Sequence, residues 1–412
     1  MIIKKGSENK ILNNNILAIE AEAIKAKKED ASTINSTTGM LKNEDGSLYV
    51  FDSVKKVIND LSSSEKFAYT DSLGTPAYKE AVLYSLFGKN LSTIKKECYV
   101  DSIVTPGGSG GLNLVLSNYI DKDDTILLPN YMWENYLTYG IEMGFNSDTY
   151  HLFNEKGLFD IDYLVIKINE LKKAQKRISI IINDPCENPT GFCMKDEDYD
   201  ALISIAKTNP DNDFVYIMDV AYFDFYNVDQ DIIRNRFSKF KDIPNNAMTF
   251  FVFSGSKSFG LYGLRVGALV ALTHVKEEIV AFQNASNFST RAKWSDSSTL
   301  GMSIIEKLVL SEEYRNSYEN EIKIVCKMLE ERCSIFLNKT KEVGLRTLPY
   351  EKGFFICIPC KNPKKAAELL HKDKVYLIPT STCLRVALCT INKKEAEILP
   401  QIIKVRLDKE GL

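Results

Sequence analysis

The sequence predicts an α/β fold: a large domain in which a mainly parallel sheet carries helices on its faces, and a smaller α+β domain after it. From residue 51 to about residue 300, helical segments alternate with short apolar segments, the pattern typical of such a sheet. These segments are apolar throughout, which indicates strands buried on both faces. Beyond them the pattern changes to a long charged helix, short strands and a closing helix, which indicates the second domain.

The predicted elements follow the chain in order. A helix is expected over about residues 16–30 and a long charged helix over about 311–341. The strands of the large domain are expected at 102–104, 125–128, 178–182, 214–218, 249–253 and 266–272. Those of the second domain are expected at about 343–348, 354–358, 375–378 and 384–388. The first 48 or so residues have no core of their own and are expected to dock on one of these domains.

The charge balance argues against several classes of protein. The chain has 412 residues, and 52 Lys and Arg against 55 Asp and Glu give a net charge of −3. This is too balanced for a protein whose main task is to coat nucleic acid or an anionic membrane. Neither a secretory signal nor a run of about 18 apolar residues occurs in the sequence. We therefore expect a cytoplasmic protein with no nucleic-acid or membrane partner.

The cysteines and histidines do not predict a metal site. Nine cysteines are scattered without framework spacing, which suits reduced thiols in a reducing compartment. Cys357 and Cys360 form the one CxxC pair, and we interpret them as ordinary strand cysteines because a zinc site needs about four ligands. The three histidines, His151, His274 and His371, are too far apart in sequence for an HExxH-type zinc motif. No metal is expected.

The most informative segment runs from Ser254 to Gly267 and contains Lys257 and Arg265. Lys257 comes directly after a predicted buried strand and is flanked by small residues. Such a site can desolvate the amine, which lowers its pKa and makes it a nucleophile toward aldehydes. Serine hydroxyls and a guanidinium also suit a dianionic phosphate. The alternative is a Gly/Ser loop with one surface cation.

Three further segments carry polar groups at predicted strand ends. The glycine-rich segment 105–112 follows a strand and opens a helix, so its Gly108-Ser109-Gly110 stretch could hold a single phosphate. Asp219 ends an apolar strand, where open α/β sheets bind ligands, although a helix N-cap is a fair interpretation of it alone. The segment 188–191, Asn-Pro-Thr-Gly, is by itself an ordinary turn.

Taken together and in order, these motifs resemble those of the pyridoxal-phosphate-dependent aminotransferases of class I/II, the fold type I group of the aspartate aminotransferase superfamily. The matching motifs are Asn-Pro-Thr-Gly at 188–191, Asp-x-Ala-Tyr at 219–222 and Ser-x-Ser-Lys…Arg-x-Gly at 254–267. The resemblance implies a three-layer α/β/α large domain at 49–300 and a small domain formed by 1–48 and 301–412. It also implies pyridoxal 5′-phosphate as cofactor, with an amino acid and a 2-oxo acid as substrates.

The resemblance assigns roles to residues of the predicted site. Lys257 would hold the cofactor aldehyde as a Schiff base and then move the proton at the substrate Cα. Asp219 would keep the pyridine nitrogen protonated. Asn188 and Tyr222 would hydrogen-bond the 3-oxygen of the ring, and Asn188 also belongs to the substrate-binding set. The implied phosphate ligands are Gly108, Ser109, Gly110, Ser254 and Arg265. Tyr69 would reach a phosphate in the neighbouring subunit of a homodimer with shared active sites.

An aromatic side chain should stack on the cofactor ring, and we choose Trp133 over Tyr131 because 133–136 resembles the Trp-x-Asn-His segment of the family. The sequence departs from that segment at Tyr136, which stands in the place of the histidine. Arg385 matches the arginine that binds the substrate α-carboxylate, and Gly39 matches the backbone donor that closes over it.

The preferred substrate side chain is predicted from the absence of an arginine at one position of the sequence. Dicarboxylate-specific members carry a further arginine, and the matching position here is Ser303 in the segment 295–303. Arg291 or Lys293 could replace that arginine if the loop folds differently. We therefore expect aromatic, apolar or uncharged amino acids to be preferred over aspartate.

Two other functions remain open at this point. The same cofactor cage supports C–S lyases, decarboxylases and eliminating enzymes, because a fold does not fix a reaction. A non-catalytic effector-binding module of this fold would need a fused DNA-binding helix-turn-helix, and the roughly 48 residues before the large domain are too few and not basic enough to supply it.

Overall fold

The structure is a computed structural model that describes residues 2–3, 7–10 and 16–412. The first three helices are α1 (Ile16–Glu29), α2 (Asp52–Asp60) and α3 (Ser63–Phe67). They are followed by α4 (Pro76–Phe87), α5 (Leu91–Glu97), α6 (Gly107–Tyr119), α7 (Asn135–Met143), α8 (Ile161–Leu171) and α9 (Asp196–Thr208). The remaining helices are α10 (Asp231–Ser238), α11 (Gly255–Ser258), α12 (Lys276–Lys293), α13 (Thr299–Leu310), α14 (Glu312–Val343), α15 (Pro363–Lys372) and α16 (Lys393–Glu410).

The strands form two sheets. They are β1 (Ile34–Ser36), β2 (Tyr99–Thr105), β3 (Thr125–Pro129), β4 (Asn146–Tyr150), β5 (Arg177–Asn183), β6 (Asp213–Asp219), β7 (Ala247–Ser254), β8 (Gly267–Thr273), β9 (Phe355–Pro359), β10 (Val375–Pro379) and β11 (Cys383–Ala387). The large sheet has the order β2-β8-β7-β6-β5-β3-β4, and the small one the order β1-β10-β11-β9. Only β8 runs antiparallel to its neighbours in the large sheet, as far as the described residues show. The predicted α/β class is confirmed.

The centre of the large sheet is as apolar as the sequence predicts. Every residue of β7 and of β8 is buried, because helices cover both faces of a mostly parallel sheet. The edge strand β4 was missed, since its sequence NSDTY is polar and four of its five residues are at least partly exposed. All six predicted strands of this sheet are present.

Chain contacts divide the protein into two compact units. The larger unit contains residues 49–330 and 349–354, and the smaller contains the described part of 1–48 together with 331–348 and 355–412. The sequence placed the second boundary at residue 300, whereas here 301–330 group with the larger unit and the division falls inside α14. Residues 1, 4–6 and 11–15 of the predicted small domain lie outside the described residues.

One predicted strand of the small domain is wrong. Residues 344–350 form no strand, although Leu345 and Leu348 are buried as their apolar character indicates. Leu348 N–H donates to Cys357 O at 2.9 Å, but no ladder continues from that bond. Conversely, β1 was missed because its sequence, INS, is short and mostly polar. Within the described part of the chain, no helix is both long and apolar enough to cross a membrane.

Candidate active site

The segment that carries Lys257 is a tight turn at the end of a central strand. β7 ends at Ser254, whose Oγ accepts from the backbone N–H of Ser256 at 3.3 Å and caps the four-residue helix α11. Gly255 is closely packed, because a Cβ there would lie 3.0 Å from the Cγ1 of Val266. Lys257 follows in this constrained turn and is half-buried. The local structure therefore holds the lysine at the carboxyl end of the sheet.

Two tyrosine rings lie near the Lys257 amine. Its Nζ is 5.8 Å from the ring centroid of Tyr222 and 5.0 Å from that of Tyr262. Tyr222 is buried, and its own ring contacts Phe354 with the centroids 5.3 Å apart. The predicted pair Lys257 and Tyr222 is thus brought together.

Arg265, Gly107 and the start of α6 form a group of donors suited to an anion. Gly107 has φ +71°, and a Cβ on it would lie 2.6 Å from Nη2 of Arg265, so only glycine admits the guanidinium here. Nη1 of Arg265 donates to Ser256 Oγ at 2.9 Å and to Tyr262 O at 3.2 Å. A Cβ on Gly108 would lie 3.8 Å from the Oγ of Ser254. The N-terminus of a 13-residue helix, a guanidinium and serine hydroxyls therefore converge.

Most of the predicted phosphate ligands belong to this group. Ser109 lies in the first turn of α6, and its carbonyl accepts from the Tyr139 hydroxyl at 3.1 Å. Gly110 packs against Pro106, because a Cβ would come within 2.5 Å of its Cδ. Ser256 was missed by the sequence argument, although it lies in the same Gly/Ser turn as Ser254.

Asp219 is a buried carboxylate at the end of β6. Burial raises its pKa to about 6, and the hydrogen bond from Tyr136 opposes that shift. The Tyr136 hydroxyl donates to Oδ2 at 2.7 Å, and the N–H of Ala221 donates to Oδ1 at 3.2 Å. Tyr136 is itself buried, with 1% of its surface exposed. The residue that departs from the family pattern is therefore in direct contact with the predicted partner of the ring nitrogen.

Asn188 is tied to the same strand end through Asn183. β5 and β6 are parallel neighbours in which Asn183 pairs with Asp219. Asn183 Nδ2 donates to Asp219 O at 2.7 Å, and its Oδ1 accepts from the N–H of Asn188 at 2.8 Å. Asn183 was missed because nothing in its own motif shows that it joins the two strands.

The two aromatic candidates for ring stacking have different surroundings. Trp133 meets Tyr136 edge to face, with ring centroids 5.6 Å apart at 85°. Tyr131 is stacked on Phe153, with centroids 5.1 Å apart at 12°. Because Trp133 lies next to the partner of Asp219, its position favours it over Tyr131.

Tyr69 and Arg385 lie elsewhere. Tyr69, in the larger unit, is 95% exposed. Arg385, in β11 of the smaller unit, is buried, with its guanidinium 4.3 Å from the ring centroid of Phe355. Its Nη2 donates to Thr37 O at 2.7 Å, two residues before Gly39. The Arg385 guanidinium is thus bonded to the segment that leads to Gly39.

The cysteines near Arg385 are reduced thiols, and two of them lie in the neighbouring strands β9 and β11. Cys357 lies opposite Arg385 in the β9–β11 ladder, and its sulfur is 2.7 Å from that of Cys383. Cys360 is partly exposed, and burial of its thiol raises its pKa to about 11. Among the described residues, no group of three or more His, Cys, Asp or Glu is placed to hold a metal ion.

The residues around Lys257 fit pyridoxal 5′-phosphate. The donors around Arg265 suit its phosphate, and the amine of Lys257 suits its aldehyde. Both donors to the Asp219 carboxylate are neutral, so a protonated ring nitrogen would give this buried group a positive partner.

Comparisons with known proteins find relatives along most of the chain. Residues 32–403 match the family model described as "Aminotransferase class I and II". The aromatic-amino-acid aminotransferase of Escherichia coli is 25% identical over 89% of this chain and 92% of its own length. The aspartate aminotransferase of Pseudomonas aeruginosa is 26% identical over 70% of this chain and 71% of its own. The crystal structure of an aminotransferase from Anaerococcus prevotii is 30% identical, with a TM-score of 0.92 over 98% of this chain and 99% of that one.

Proposed function

The chain belongs to the aminotransferase class I and II family, and on that premise we propose that its active site is the group of residues around Lys257. The protein is a pyridoxal-phosphate-dependent aminotransferase, whose substrates are amino acids and 2-oxo acids. One observation carries the assignment to these residues. Lys257 follows β7 and Asp219 ends the adjacent parallel strand β6, while the Arg265 group supplies a separate anion site in the same unit.

When bound, the cofactor supplies an aldehyde that accepts the amino group and a ring that accepts electrons. Lys257 would hold the cofactor through its aldehyde, and its Nζ would take and return the proton at the substrate Cα. Asp219 would hold the proton on the ring nitrogen, and Asn188 and Tyr222 would donate to the 3-oxygen. Trp133 packs on the ring face.

The remaining residues bind the charged ends of the ligands. The phosphate is held by Gly108, Ser109, Gly110, Ser254 and Arg265, to which we add Ser256 because its hydroxyl is bonded to the Arg265 guanidinium. In the smaller unit, Arg385 would bind the substrate α-carboxylate, with Gly39 as a backbone donor. Asn188 is also retained among the proposed substrate-binding residues.

Absorbance of the purified protein tests the lysine. We expect a visible cofactor band that Lys257→Ala abolishes and that Lys276→Ala, at an exposed position, leaves unchanged. Borohydride reduction should attach the cofactor to the peptide that contains Lys257, as read by mass spectrometry. Attachment to another lysine would refute the assignment. A panel of amino acids should convert the cofactor to its amino form, whereas release of thiol or carbon dioxide would indicate elimination or decarboxylation.

We also propose that the enzyme prefers aromatic, apolar or uncharged amino acids over aspartate. The position that would carry a distal-carboxylate arginine is Ser303, whose hydroxyl donates to Glu65 O at 2.9 Å. Arg291 Nη1 donates to Ser295 Oγ at 2.8 Å, and Lys293 Nζ donates to Ser117 Oγ. Both alternative cations therefore contact neighbouring hydroxyls. Relatives named for aspartate and for aromatic amino acids match at nearly equal identity, so this local observation is the one that discriminates.

Steady-state kinetics test the preference. We expect kcat/KM to be at least tenfold higher for tyrosine, phenylalanine, leucine or methionine than for aspartate. A higher value for aspartate would contradict the proposal. Ser303→Ala serves as a control, because it removes the hydroxyl without adding a cation and should leave the ratio unchanged.

A homodimer with shared active sites is the third part of the proposal, together with a cytoplasmic location. Phe67 and Tyr69 are 81% and 95% exposed, which is unusual for aromatic side chains unless a partner covers them. We propose that Tyr69 reaches the cofactor phosphate of the second subunit.

Mixing two inactive variants tests this arrangement. In a hybrid of Lys257→Ala and Tyr69→Phe subunits, one site has both substitutions and the other has neither, if Tyr69 acts across the dimer. Refolding the two together should then restore activity that neither has alone. If Tyr69 acts within its own subunit, each hybrid site keeps one defect and no activity returns.

A further inference from the structure

We propose that Glu20, a buried carboxylate on α1, is a positioning residue for the substrate-binding arginine Arg385, and that it acts through Thr37. The inference rests on the proposed role of Arg385 as the carboxylate ligand. All three residues lie in the smaller unit.

The burial of Glu20 calls for an explanation. Only 6% of its surface is exposed, although glutamate is almost never buried unless it is paired. The other glutamates of α1, Glu22 and Glu29, are exposed or partly exposed, as is usual on a surface helix. Glu20 therefore points into the unit at a cost that an interaction must offset.

That interaction is with the Thr37 hydroxyl. Thr37 is fully buried, and its Oγ1 donates to Oε2 of Glu20. The same Oγ1 lies 2.7 Å from Oδ1 of Asn35. A hydroxyl has one hydrogen, so the two acceptors compete for it, and the carboxylate is the stronger. Glu20, together with Asn35, thus holds the side-chain rotamer of Thr37.

The backbone of Thr37 in turn contacts Arg385. The Thr37 carbonyl accepts from Nη2 of Arg385 at 2.7 Å, while the Phe355 ring lies 4.3 Å from the guanidinium carbon. The ring sets the plane of the guanidinium, and the carbonyl sets its rotation in that plane. A guanidinium binds a carboxylate with two parallel N–H groups, so a small rotation weakens both bonds.

The residue before Thr37 is anchored independently. Ser36 Oγ donates to Ala387 O at 3.1 Å and accepts from Ala387 N–H at 2.8 Å. Loss of the Glu20 bond would therefore leave β1 in place. The expected disturbance is confined to Thr37 and the segment that leads to Gly39, which is the proposed backbone donor to the substrate.

The test compares Glu20→Ala, Glu20→Gln and Thr37→Val with Thr37→Ser and Glu22→Ala. We expect Glu20→Ala and Thr37→Val to raise KM for both the amino acid and the 2-oxo acid about tenfold, with kcat within about twofold of the parent. Glu20→Gln keeps an acceptor and should have a smaller effect. Thr37→Ser keeps the hydroxyl, and Glu22→Ala removes an exposed glutamate of the same helix, so both should behave as the parent.

A purely structural role would give a different result. If Glu20→Ala and Thr37→Val lower the melting temperature but leave both KM values unchanged, the inference is overturned. It is also overturned if kcat falls while KM stays constant. Thr37→Val is nearly isosteric and gives a reading even if Glu20→Ala does not fold. Arg385→Ala distinguishes the proposed role of Arg385 from the proposed role of Glu20 and Thr37. An unchanged KM in Arg385→Ala refutes carboxylate binding by Arg385. A large rise in that KM, with no effect of the Glu20 and Thr37 variants, refutes only the positioning role.

Discussion

Replacing Tyr136 by phenylalanine removes one hydroxyl beside Asp219, a buried carboxylate whose pKa is raised. The hydroxyl donates to Asp219 Oδ2 at 2.7 Å, and both residues are buried, so bulk water is poorly placed to replace it. Burial holds the pKa of Asp219 at about 6, above its ordinary 3.8. In the cofactor-free protein, ionised Asp219 at neutral pH therefore costs about 3 kcal/mol relative to the unfolded chain.

The magnitude of the substitution follows from the acceptor. A hydrogen bond to an ionised carboxylate contributes about 1.5–3 kcal/mol, which is equivalent to a rise of about one to two units in the pKa of Asp219. The native state then binds its proton more tightly still, and the penalty for ionisation grows above pH 6. Near pH 5, Asp219 is largely protonated in both proteins. The loss of stability caused by Tyr136→Phe should therefore be about 1–2 kcal/mol larger at pH 8 than at pH 5.

Thermal and urea unfolding of the cofactor-free protein between pH 5 and 8 measures this difference. Tyr139→Phe is the matched control, because the Tyr139 hydroxyl donates to a neutral acceptor, the Ser109 carbonyl, at 3.1 Å. Its effect should not depend on pH over this range. If the gap between Tyr136→Phe and the parent stays constant from pH 5 to 8, then Tyr136 does not stabilise the ionised form of Asp219 and the reasoning fails.

Two further pairs of substitutions test the close contact at Gly107 and the hydrogen bonds of the buried Arg332. Gly107→Ala should weaken cofactor binding at least tenfold, because its Cβ would displace the Arg265 guanidinium. Gly263→Ala is the control, since a Cβ there meets no atom within 4 Å and should leave the affinity unchanged. Equal cofactor affinities of the two variants in a fluorescence titration would contradict this prediction. Arg332→Met should cost about 3 kcal/mol in urea unfolding, because it removes the hydrogen bonds from a fully buried guanidinium to the carbonyls of Cys389 and Lys42 and to Glu44. Glu44→Gln, at its half-exposed ion-pair partner, should cost under about 1 kcal/mol, and a larger loss there would show that the ion pair dominates.

The sequence was informative where chemistry and local spacing coincide. Lys257, Asp219 and Arg265 each follow or precede an apolar strand, and the parallel sheet then brings the strand ends together. Asn183 was missed because its partner Asp219 is distant in sequence. Ser256 was missed because other serines lie beside it in the same turn. Their hydrogen bonds arise only after the strands have paired.

The errors in secondary structure have a common physical origin. Apolar character predicts burial, whereas a strand needs a partner for its backbone. Residues 344–350 carry buried leucines but form no ladder, so an apolar pattern was mistaken for a strand. β1 and β4 pair through their backbones despite polar side chains, so they were missed. Strand pairing at sheet edges therefore depends on neighbours that local composition does not encode.

The chain has 20 tyrosines and three histidines, and tyrosine hydroxyls are hydrogen-bonded to three of its buried carboxylates. Asp184, Asp219 and Asp224 are each buried, and burial raises their pKa values to about 7, 6 and 6. Each accepts a hydrogen bond from a tyrosine hydroxyl. A neutral donor satisfies the lone pairs but opposes the rise in pKa less than a cation would.

The neutral character of the tyrosine donor has its largest consequence at Asp219, which accepts from Tyr136. Had the neighbouring residue been a charged histidine, the carboxylate would already have a cationic partner, and its attraction for a second cation would be weaker. With Tyr136 beside it, Asp219 keeps a raised pKa, and the proposed protonated ring nitrogen would be its cationic partner. The tyrosine does not change its protonation state near neutral pH, since burial holds its pKa well above the ordinary value of 10. The pH dependence of this contact should therefore follow Asp219 and its ligand, and not the residue that positions them.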